Sequence, residues 1–319
     1  MTWQTDNPKN YATDYLRELD QVFPYVLNYG ALYATPNNGR YRWVNAKTIE
    51  IPSVKTTGRI NGDRDSVSFA SRNYANNWET KTLSNERKWS TLVHPMDIDQ
   101  TNMVASIGNI TRVFNEEHKF PEMDAYLISK LYHDWSSNVA GDTAHEAYVG
   151  RTPDETVLTK DNILSVFDQL MLNATEKRVP VQGRILYVPH AVKSMLKSAA
   201  GLTRTWDVQS VNQNGINRNV ESLDGVQVIG VPSELMRTSY VFTEDWSIAP
   251  GAKQINMFLV HPMAVITPHS YSFAQLDAPS AMSEGKYTYY EESFEDAFIL
   301  NNKADALQFN IGDTSGTTN

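Results

Sequence analysis

The stretch from Lys47 to His94 constrains the fold of this chain more than any other feature of the sequence. It is long and polar, and it carries aromatic residues at Tyr74, Trp78 and Trp89. A loop of this length is uncommon inside a compact domain, because its backbone polar groups need partners if they are buried. We therefore expect the stretch to leave the body of its own subunit and to lie on a neighbouring chain.

Strand and turn signals predict that this stretch forms a long two-stranded arm. The outgoing strand is indicated by Thr48, Ile49, Ile51 and Val54, with an edge position at Pro52. The tip is indicated by turn residues at Gly58, Asn61, Gly62 and Asp63. The return path is indicated by Val67, Phe69, Tyr74, Trp78, Leu83, Trp89, Leu92 and Val93. An isolated hairpin is marginally stable in water, so we expect the exposed aromatic side chains to find another surface, with an ordinary surface hairpin as the alternative.

The arm also mixes cations with carboxylates. Its cations are interspersed with Asp63, Asp65 and Glu79. This mixture suits pairing with a charged neighbour better than burial in a single core. The arm residues predicted to contact another subunit are Lys55, Arg59, Arg64, Arg72, Tyr74 and Trp78.

Composition limits the class of protein. The chain has 319 residues, of which 41% are hydrophobic, so it can form one large domain or two smaller ones. It has no cysteine, which excludes disulfides and thiolate sites and fits synthesis in a reducing cytoplasm. A net charge of -9 argues against tight, nonspecific binding of nucleic acid. The N-terminus lacks a basic and then apolar pattern, and His261 and Pro262 interrupt the most apolar run, so we predict neither a signal peptide nor a membrane span.

Helical periodicity predicts a short N-terminal helix and two helices after the arm. The first begins at Asn7 and Pro8. After the arm, Thr101 or Asn102 caps one helix and Pro121 opens the next. Their apolar stripes are typical of packing against a core rather than of a binding site.

The remainder of the chain predicts a mixture of helices and strands. From Arg151 to Pro250, helical and strand patterns alternate, and a long polar loop runs from Thr203 to Val220. The last third returns to strands, starting with Ile255 to Val260. We expect the final residues, from Gly312, to be frayed.

No motif predicts catalysis, a cofactor or a metal. His145 and Glu146 lack the second histidine of a zinc helix, and the glycines do not form a phosphate loop. An acidic cluster could flank a glycosidic bond or hold a divalent cation, although a solvated or interface-facing patch is the simpler interpretation. The cluster consists of Glu291, Glu292, Glu295 and Asp296. A carbohydrate-binding or carbohydrate-hydrolysing protein, using this cluster and the abundant aromatic residues, is an alternative function.

Taken in order, these pieces resemble a bacteriophage major capsid protein of the HK97-like fold. The resemblance rests on the segments starting at Asn10, Lys47–Pro52, Met96–Asn102, Arg184–Pro189, Leu223–Pro232 and the strands from Ile255 to Leu300. It implies an α+β fold with an N-terminal arm at 1–46 and an extended loop at 47–94. It also implies a peripheral domain with a spine helix at 95–150 and 251–319, and an axial domain at 151–250.

The resemblance implies a structural role without catalysis or cofactors. The chain would self-assemble as pentamers and hexamers into an icosahedral shell around the double-stranded DNA of a tailed bacteriophage. Its partners would be further copies of itself, a portal protein, and a separate scaffolding protein because fold-like sequence begins almost at Met1. DNA would be enclosed without sequence-specific binding, and the shell would assemble in the host cytoplasm and become the virion capsid. An encapsulin-type nanocompartment, which shares the fold, is the nearest alternative.

Overall fold

The computed structural model describes residues 24–59, 72–100, 106–137, 151–199 and 222–312. Several predictions from sequence lie outside these residues: the N-terminal helix, the arm tip with Arg64, the Thr101 and Asn102 caps, the His145-Glu146 pair, the 203–220 loop and the chain end after Gly312. The helices are α1 (Gly30–Tyr33), α2 (Pro95–Gln100), α3 (Ile107–Phe114), α4 (Phe120–Ser136), α5 (Ile163–Glu176) and α6 (His190–Lys197). None of the helices in the described part of the chain has the length and apolar character needed to span a membrane.

The strands form five sheets within the described residues. In chain order they are β1 (Arg42–Asn45), β2 (Thr48–Thr56), β3 (Tyr74–Thr82), β4 (Glu86–Val93), β5 (Ile185–Pro189), β6 (Ser222–Leu223), β7 (Val226–Val231), β8 (Tyr240–Phe242), β9 (Trp246–Ile248), β10 (Ile255–Val260), β11 (Val265–Ile266), β12 (His269–Asp277), β13 (Tyr287–Glu295), β14 (Phe298–Ile299) and β15 (Leu307–Ile311). Their orders are β1-β2-β3, β15-β10-β5-β7-β6, β11-β14, β12-β13-β4 and β8-β9.

The five-stranded sheet is the centre of the molecule. Successive side chains of a strand point to opposite faces, and here both faces are buried. Leu186 and Leu259 pack in the cluster formed with α5 and α6, whereas Tyr187 and Phe258 pack in the cluster that includes Trp135 of α4. The strand predicted at Val226 to Val231 is confirmed as β7, which pairs in parallel with β5.

The central sheet also joins two parts of the chain that are predicted from the sequence to belong to different domains. Strands β5 and β7 precede residue 250, and β10 and β15 follow it, yet β10 pairs directly with both β5 and β15. The division at residue 250 into axial and peripheral domains stays a prediction. In the structure, the two parts share one sheet and its hydrophobic cores.

The two helices predicted after the arm are one continuous helix, from Ile107 to Ser136. A π-helical turn at Asn115–Lys119 joins α3 to α4, and the backbone keeps helical dihedral angles through Phe114, Lys119 and Phe120. The prediction that Pro121 begins a separate helix is therefore wrong. Proline lacks an N–H group and crowds the preceding turn, and a wider turn just before it relieves both problems.

The arm exists, but its return path is shorter than the sequence predicts. Strands β2 and β3 pair from Thr48↔Thr82 to Thr56↔Tyr74. Strand β4 does not continue the hairpin; it pairs with β13 in another sheet. The prediction that Trp89, Leu92 and Val93 lie on the arm is therefore wrong. The hairpin ends where Leu83 becomes buried and the chain turns into β4.

Candidate subunit interface

The two faces of the arm differ in their surroundings. Near the base, Ile49 and Ile51 of β2 are 0% and 7% exposed. The opposite face carries Val54, Tyr74 and Trp78, which are 65%, 53% and 40% exposed. Side chains alternate between the faces of a strand, and the pairing Pro52↔Trp78 aligns these three on one face. The distal arm, which we define as residues 52–59 and 72–78, therefore presents a partly exposed apolar surface.

Cations flank the aromatic residues of this surface. The Arg42 guanidinium lies 4.0 Å from the centre of the Trp78 ring, and its Nε and Nη2 donate to Glu50 Oε2 at 2.9 and 2.7 Å. The Arg72 guanidinium lies 4.9 Å from the centre of the Tyr74 ring. Such cation–π contacts orient the rings and leave part of each ring exposed.

The structure brings most of the predicted arm residues onto one projection. Arg72, Tyr74 and Trp78 lie along the return strand or just before it. Lys55 lies near the end of β2, and Arg59 follows it, both exposed. Arg64 lies outside the described residues, so its predicted role stays a prediction. Contact of these residues with another subunit likewise stays a prediction.

The base of the arm is fixed to the body of the subunit. The Lys47 ammonium group is 2.9 Å from the Glu86 carboxylate and 4.4 Å from the centre of the Phe294 ring. The hydrogen bond from Lys47 lowers the pKa of Glu86. Ile49 and Leu83 pack with Phe294 in a small hydrophobic cluster. Among the described residues, these contacts fix the arm to the body of the subunit at its base.

The acidic residues near the end of β13 do not form one surface patch. Glu291 accepts hydrogen bonds from Lys119 Nζ at 3.0 Å and Tyr289 Oη at 2.8 Å. Asp296 is 4% exposed and accepts from Ser84 N at 2.8 Å, Ser84 Oγ at 3.1 Å and Tyr126 Oη at 3.0 Å. The prediction of a solvated or interface-facing role is wrong for Asp296, because its carboxylate is buried and joins three parts of the same subunit.

The remaining two carboxylates also have local donors. Glu292 accepts a short hydrogen bond from Tyr290 Oη, and Glu295 Oε1 accepts one from Ser293 Oγ at 2.9 Å. A hydrolytic pair needs two carboxyl groups that face each other across a substrate groove. Within the described residues, no group of three histidine, aspartate or glutamate side chains is arranged to hold a metal ion. The carbohydrate alternative gains no support from this arrangement.

A cleft of about 340 Å³ lies between the long helix, β4, β13, β12 and the β8–β9 turn. On its wall, Trp89 stacks on Phe114 with ring centres 4.0 Å apart. Arg87 Nη2 donates to Glu122 Oε2 at 3.0 Å, and burial raises the pKa of Glu122. Asp245 lies at the exposed mouth, 3.3 Å from His118 Nδ1. We call this feature the acidic cleft, because its lining has more carboxylates than cations.

Sequence reasoning missed the acidic cleft. Arg87 and Glu122 lie 35 residues apart in the chain, and Asp245 lies 127 residues after His118. These residues meet because β4 pairs with β13 beside the long helix. A single charged residue in a strand or helix does not indicate which distant residues it will contact in the folded chain.

A buried carboxylate on the long helix holds the N-terminal part of the described chain. Asp124 is 0% exposed, and its Oδ2 accepts from Tyr25 Oη at 2.7 Å and from Asn28 N and Nδ2 at 2.9 Å. Its Oδ1 accepts from Tyr29 N at 3.4 Å. Desolvation raises the pKa of Asp124, although these hydrogen bonds oppose the shift.

Comparisons with known proteins identify the fold. No family model matches the chain, and no curated protein matches it. Among solved structures, a chain of the mature capsid of bacteriophage PhiM1 has a TM-score of 0.65 and 12% identity, over 100% of this chain and 93% of that one. The capsid structure of the cyanophage P-SCSP1u gives 0.62 and 10%, over 99% and 94%. A chain from Mycobacterium phage Che8 gives 0.60 and 14%, over 92% and 94%. The predicted α+β, HK97-like class is confirmed, and this chain has the fold of phage capsid proteins.

Proposed function

We propose that this protein is the major capsid protein of a tailed bacteriophage and that its function lies in contacts between subunits. The observation that carries the proposal is the distal arm. It projects from a capsid-type fold and exposes Val54, Tyr74 and Trp78 on one face. In a monomer, two exposed aromatic rings on a hairpin contribute little to the free energy of folding. In a shell, a neighbouring subunit buries them, and their burial stabilises the assembly.

Repeated contacts between unlike surfaces explain how such a subunit builds a closed particle. An arm that lies on the next copy makes a heterologous contact, which generates a ring when the rotation between copies closes. Pentamers and hexamers of this kind close an icosahedral shell. Each contact needs only modest stability, because every subunit makes several of them.

The partners follow from this role. The chain binds further copies of itself, and a separate scaffolding protein and a portal protein complete the assembly. Double-stranded DNA is enclosed without sequence-specific recognition, which is consistent with a net charge of -9. Assembly takes place in the host cytoplasm, where a chain with no cysteine needs no oxidation, and the product is the virion capsid.

Electron microscopy of the purified chain tests the proposal. We expect negative-stain images and light scattering to show hollow particles or ring-shaped capsomers, from the chain alone or with a scaffolding protein encoded beside it. A stable monomer under both conditions would overturn the proposal.

A substitution in the exposed face of the arm tests whether that face is needed for assembly. Trp78→Ser should leave the subunit folded and reduce the yield of particles, because it removes the largest ring of the exposed face. Trp78→Phe is the matched control, since it retains an aromatic surface, and it should assemble better than Trp78→Ser. Equal particle yields from both variants would show that an aromatic ring at position 78 does not contribute to assembly.

A further inference from the structure

We propose that His261 is an acid-sensitive switch within the subunit. When its ring takes up a second proton, the turn Pro262–Ala264 loses its cap, and residues 35–38, which are docked on this turn, loosen with it. The inference concerns the fold of one subunit, so it does not depend on the proposed assembly.

The two ring nitrogens of His261 have opposite roles in hydrogen bonding. Nδ1 accepts a hydrogen bond from the backbone N–H of Met263 at 3.2 Å, which makes His261 the N-cap of the 3₁₀ helix Pro262–Ala264. Nε2 lies 3.2 Å from the carbonyl oxygen of Gln182. Because Nδ1 accepts, the single proton of the neutral ring is on Nε2, which donates to Gln182. A second proton, on Nδ1, would replace this acceptor with a donor that points at another N–H group.

Burial and nearby charge both oppose a second proton. His261 is 9% exposed. Burial lowers the pKa of His261 below its ordinary value of about 6.5, and the charges of Arg184 and Lys303 lower it further. The hydrogen bond to Gln182 has the opposite effect. The neutral ring is therefore the form that this site stabilises.

The charged side chains around Lys303 reinforce this preference. The charge of Arg40 adds to the effect of burial in lowering the pKa of Lys303. Asp305 lies on the same 3₁₀ helix as Lys303, but it pairs with Arg151 at 2.8 Å. An imidazolium at His261 would thus face positive charge from two directions.

The turn that His261 caps holds another part of the chain. The carbonyl oxygen of Pro262 accepts from Thr35 Oγ1 at 2.8 Å, and that of Met263 accepts from Asn37 Nδ2 at 2.6 Å. Thr35 and Asn37 are 4% and 1% exposed. The chain continues from them into β1, which pairs with β2 of the arm. Release of the turn would therefore weaken the attachment of the segment that leads into the arm.

Acid should weaken this part of the fold. Because the pKa of His261 is lowered, the folded state binds the second proton less tightly than the unfolded chain does. The stability from this group is fully present above about pH 6.5 and is lost as the pH falls below that value.

A second copy of the same motif provides an internal comparison. His94-Pro95-Met96 repeats the residues of His261-Pro262-Met263. His94 Nδ1 accepts from Met96 N at 3.1 Å, so this histidine also bonds to the backbone two residues ahead. His94 is half-buried, whereas His261 is buried. The two positions therefore place one local structure in two surroundings.

Amide hydrogen exchange of the full-length chain at pH 7 and pH 5 tests the switch. After correction for intrinsic exchange, the protection factor of the Met263 amide should fall roughly tenfold at pH 5, and those of Asn37 and Asn38 should fall with it. His261→Asn should remove most of this fall, because an asparagine oxygen can accept from the N–H group two residues ahead and does not titrate. His94→Asn is the matched control and should retain the fall.

The outcomes decide the role of His261. A fall in the unmodified chain and in His94→Asn, but not in His261→Asn, would support the switch. Equal falls in the unmodified chain and in His261→Asn would overturn it, because another group would then be the one that titrates. The absence of a fall in the unmodified chain would also overturn it.

The protonation state of the ring can be measured in the unmodified chain, so the test does not require a variant that folds. Nitrogen-15 chemical shifts of the His261 imidazole should identify the neutral ring with its proton on Nε2, and the titration midpoint should lie below about pH 6.5. A proton on Nδ1 in the neutral ring, or a midpoint at or above that value, would overturn the proposal.

Discussion

The base and the distal half of the arm belong to one hairpin with one register, yet they are stabilised in different ways. At the base, Ile49 is fully buried, and the chain directly after the hairpin is held by Asp296. In the distal half, Val54, Tyr74 and Trp78 are exposed, and the neighbouring strand β1 pairs only with residues 48–50. Regular strand pairing alone therefore does not bury an arm. The base contributes to the stability of the subunit, and the distal half is free to contribute to an assembly.

Removing the end of the arm, residues 57–73, should give the largest separation between the stability of the subunit and its assembly. Residues 57–73 can be replaced by Asn-Gly, because Thr56 and Tyr74 are directly paired and a two-residue turn joins such strands. We expect no closed shells by electron microscopy. The free energy of unfolding of the subunit should change by less than about 0.5 kcal/mol, as for surface changes in general. Normal shells from this variant would show that residues 57–73 are not needed for assembly.

Truncating one apolar residue in each half should reveal the same contrast in stability. Ile49→Ala should lower the free energy of unfolding by about 3 kcal/mol, because it leaves a cavity in a buried cluster. Val54→Ala should change it by less than about 0.5 kcal/mol, since this side chain is 65% exposed. Urea unfolding of the unassembled subunit measures both, and similar losses would mean that the distal half is also covered within the subunit.

Asp296, which anchors the chain beside the base of the arm, should contribute less to the free energy of unfolding than the hydrophobic cluster does, but more than any residue of the distal half. Asp296→Asn should destabilise the subunit by about 2 kcal/mol, because an amide cannot accept all the hydrogen bonds that the buried carboxylate receives. Glu292→Gln is the matched control, as Glu292 accepts from Tyr290. Urea midpoints compare the two, and an equal loss would contradict the anchoring role of Asp296.

A second buried anchor should show the smallest effect, visible as pH dependence. Burial raises the pKa of Asp124 in the folded state, so the folded state binds a proton more tightly than the unfolded chain does. The stability from this group is present at low pH and falls as pH rises above the unfolded value of about 3.9. The difference in unfolding free energy between the unmodified chain and Asp124→Asn should therefore decrease between about pH 4 and pH 7. A difference that grows over this range would refute the sign of the shift.

Local patterns in the sequence predict the arm because its signals are local. Alternation at Ile49 and Ile51 and the turn residues near Gly58 are sufficient to indicate two strands and a tip. The same signals do not say which strand pairs with which. Trp89 lies in a strand, as its pattern suggests, but the partner of that strand is β13, about two hundred residues further along. Which strands pair depends on the packing of the whole chain. The local pattern therefore wrongly extends the return strand of the arm beyond Thr82.

The candidate site is less predictable than the fold for a related reason. The exposed residues of the arm lie in one continuous segment, and their charge and aromatic character can be read directly. The acidic cleft is assembled from five distant elements. The run Glu291 to Asp296 predicts one patch, but alternation along β13 and the turn after it send these carboxylates to different neighbours. Only the fold shows that Asp296 is buried while Asp245 is exposed.

The π-helical turn at Asn115–Lys119 changes the direction in which the long helix presents its side chains, so the segments before and after the turn face different neighbours. Such a turn takes one more residue than an α-helical turn, and one residue corresponds to a rotation of about 100° around the axis. The segment before the turn directs Phe114 toward Trp89, and the segment after it directs Leu131 and Trp135 into the core beneath the central sheet. A deletion of one residue here would restore α-helical phase and turn one of these faces away from its partner. The length of this turn is therefore as constrained as any side chain in the core.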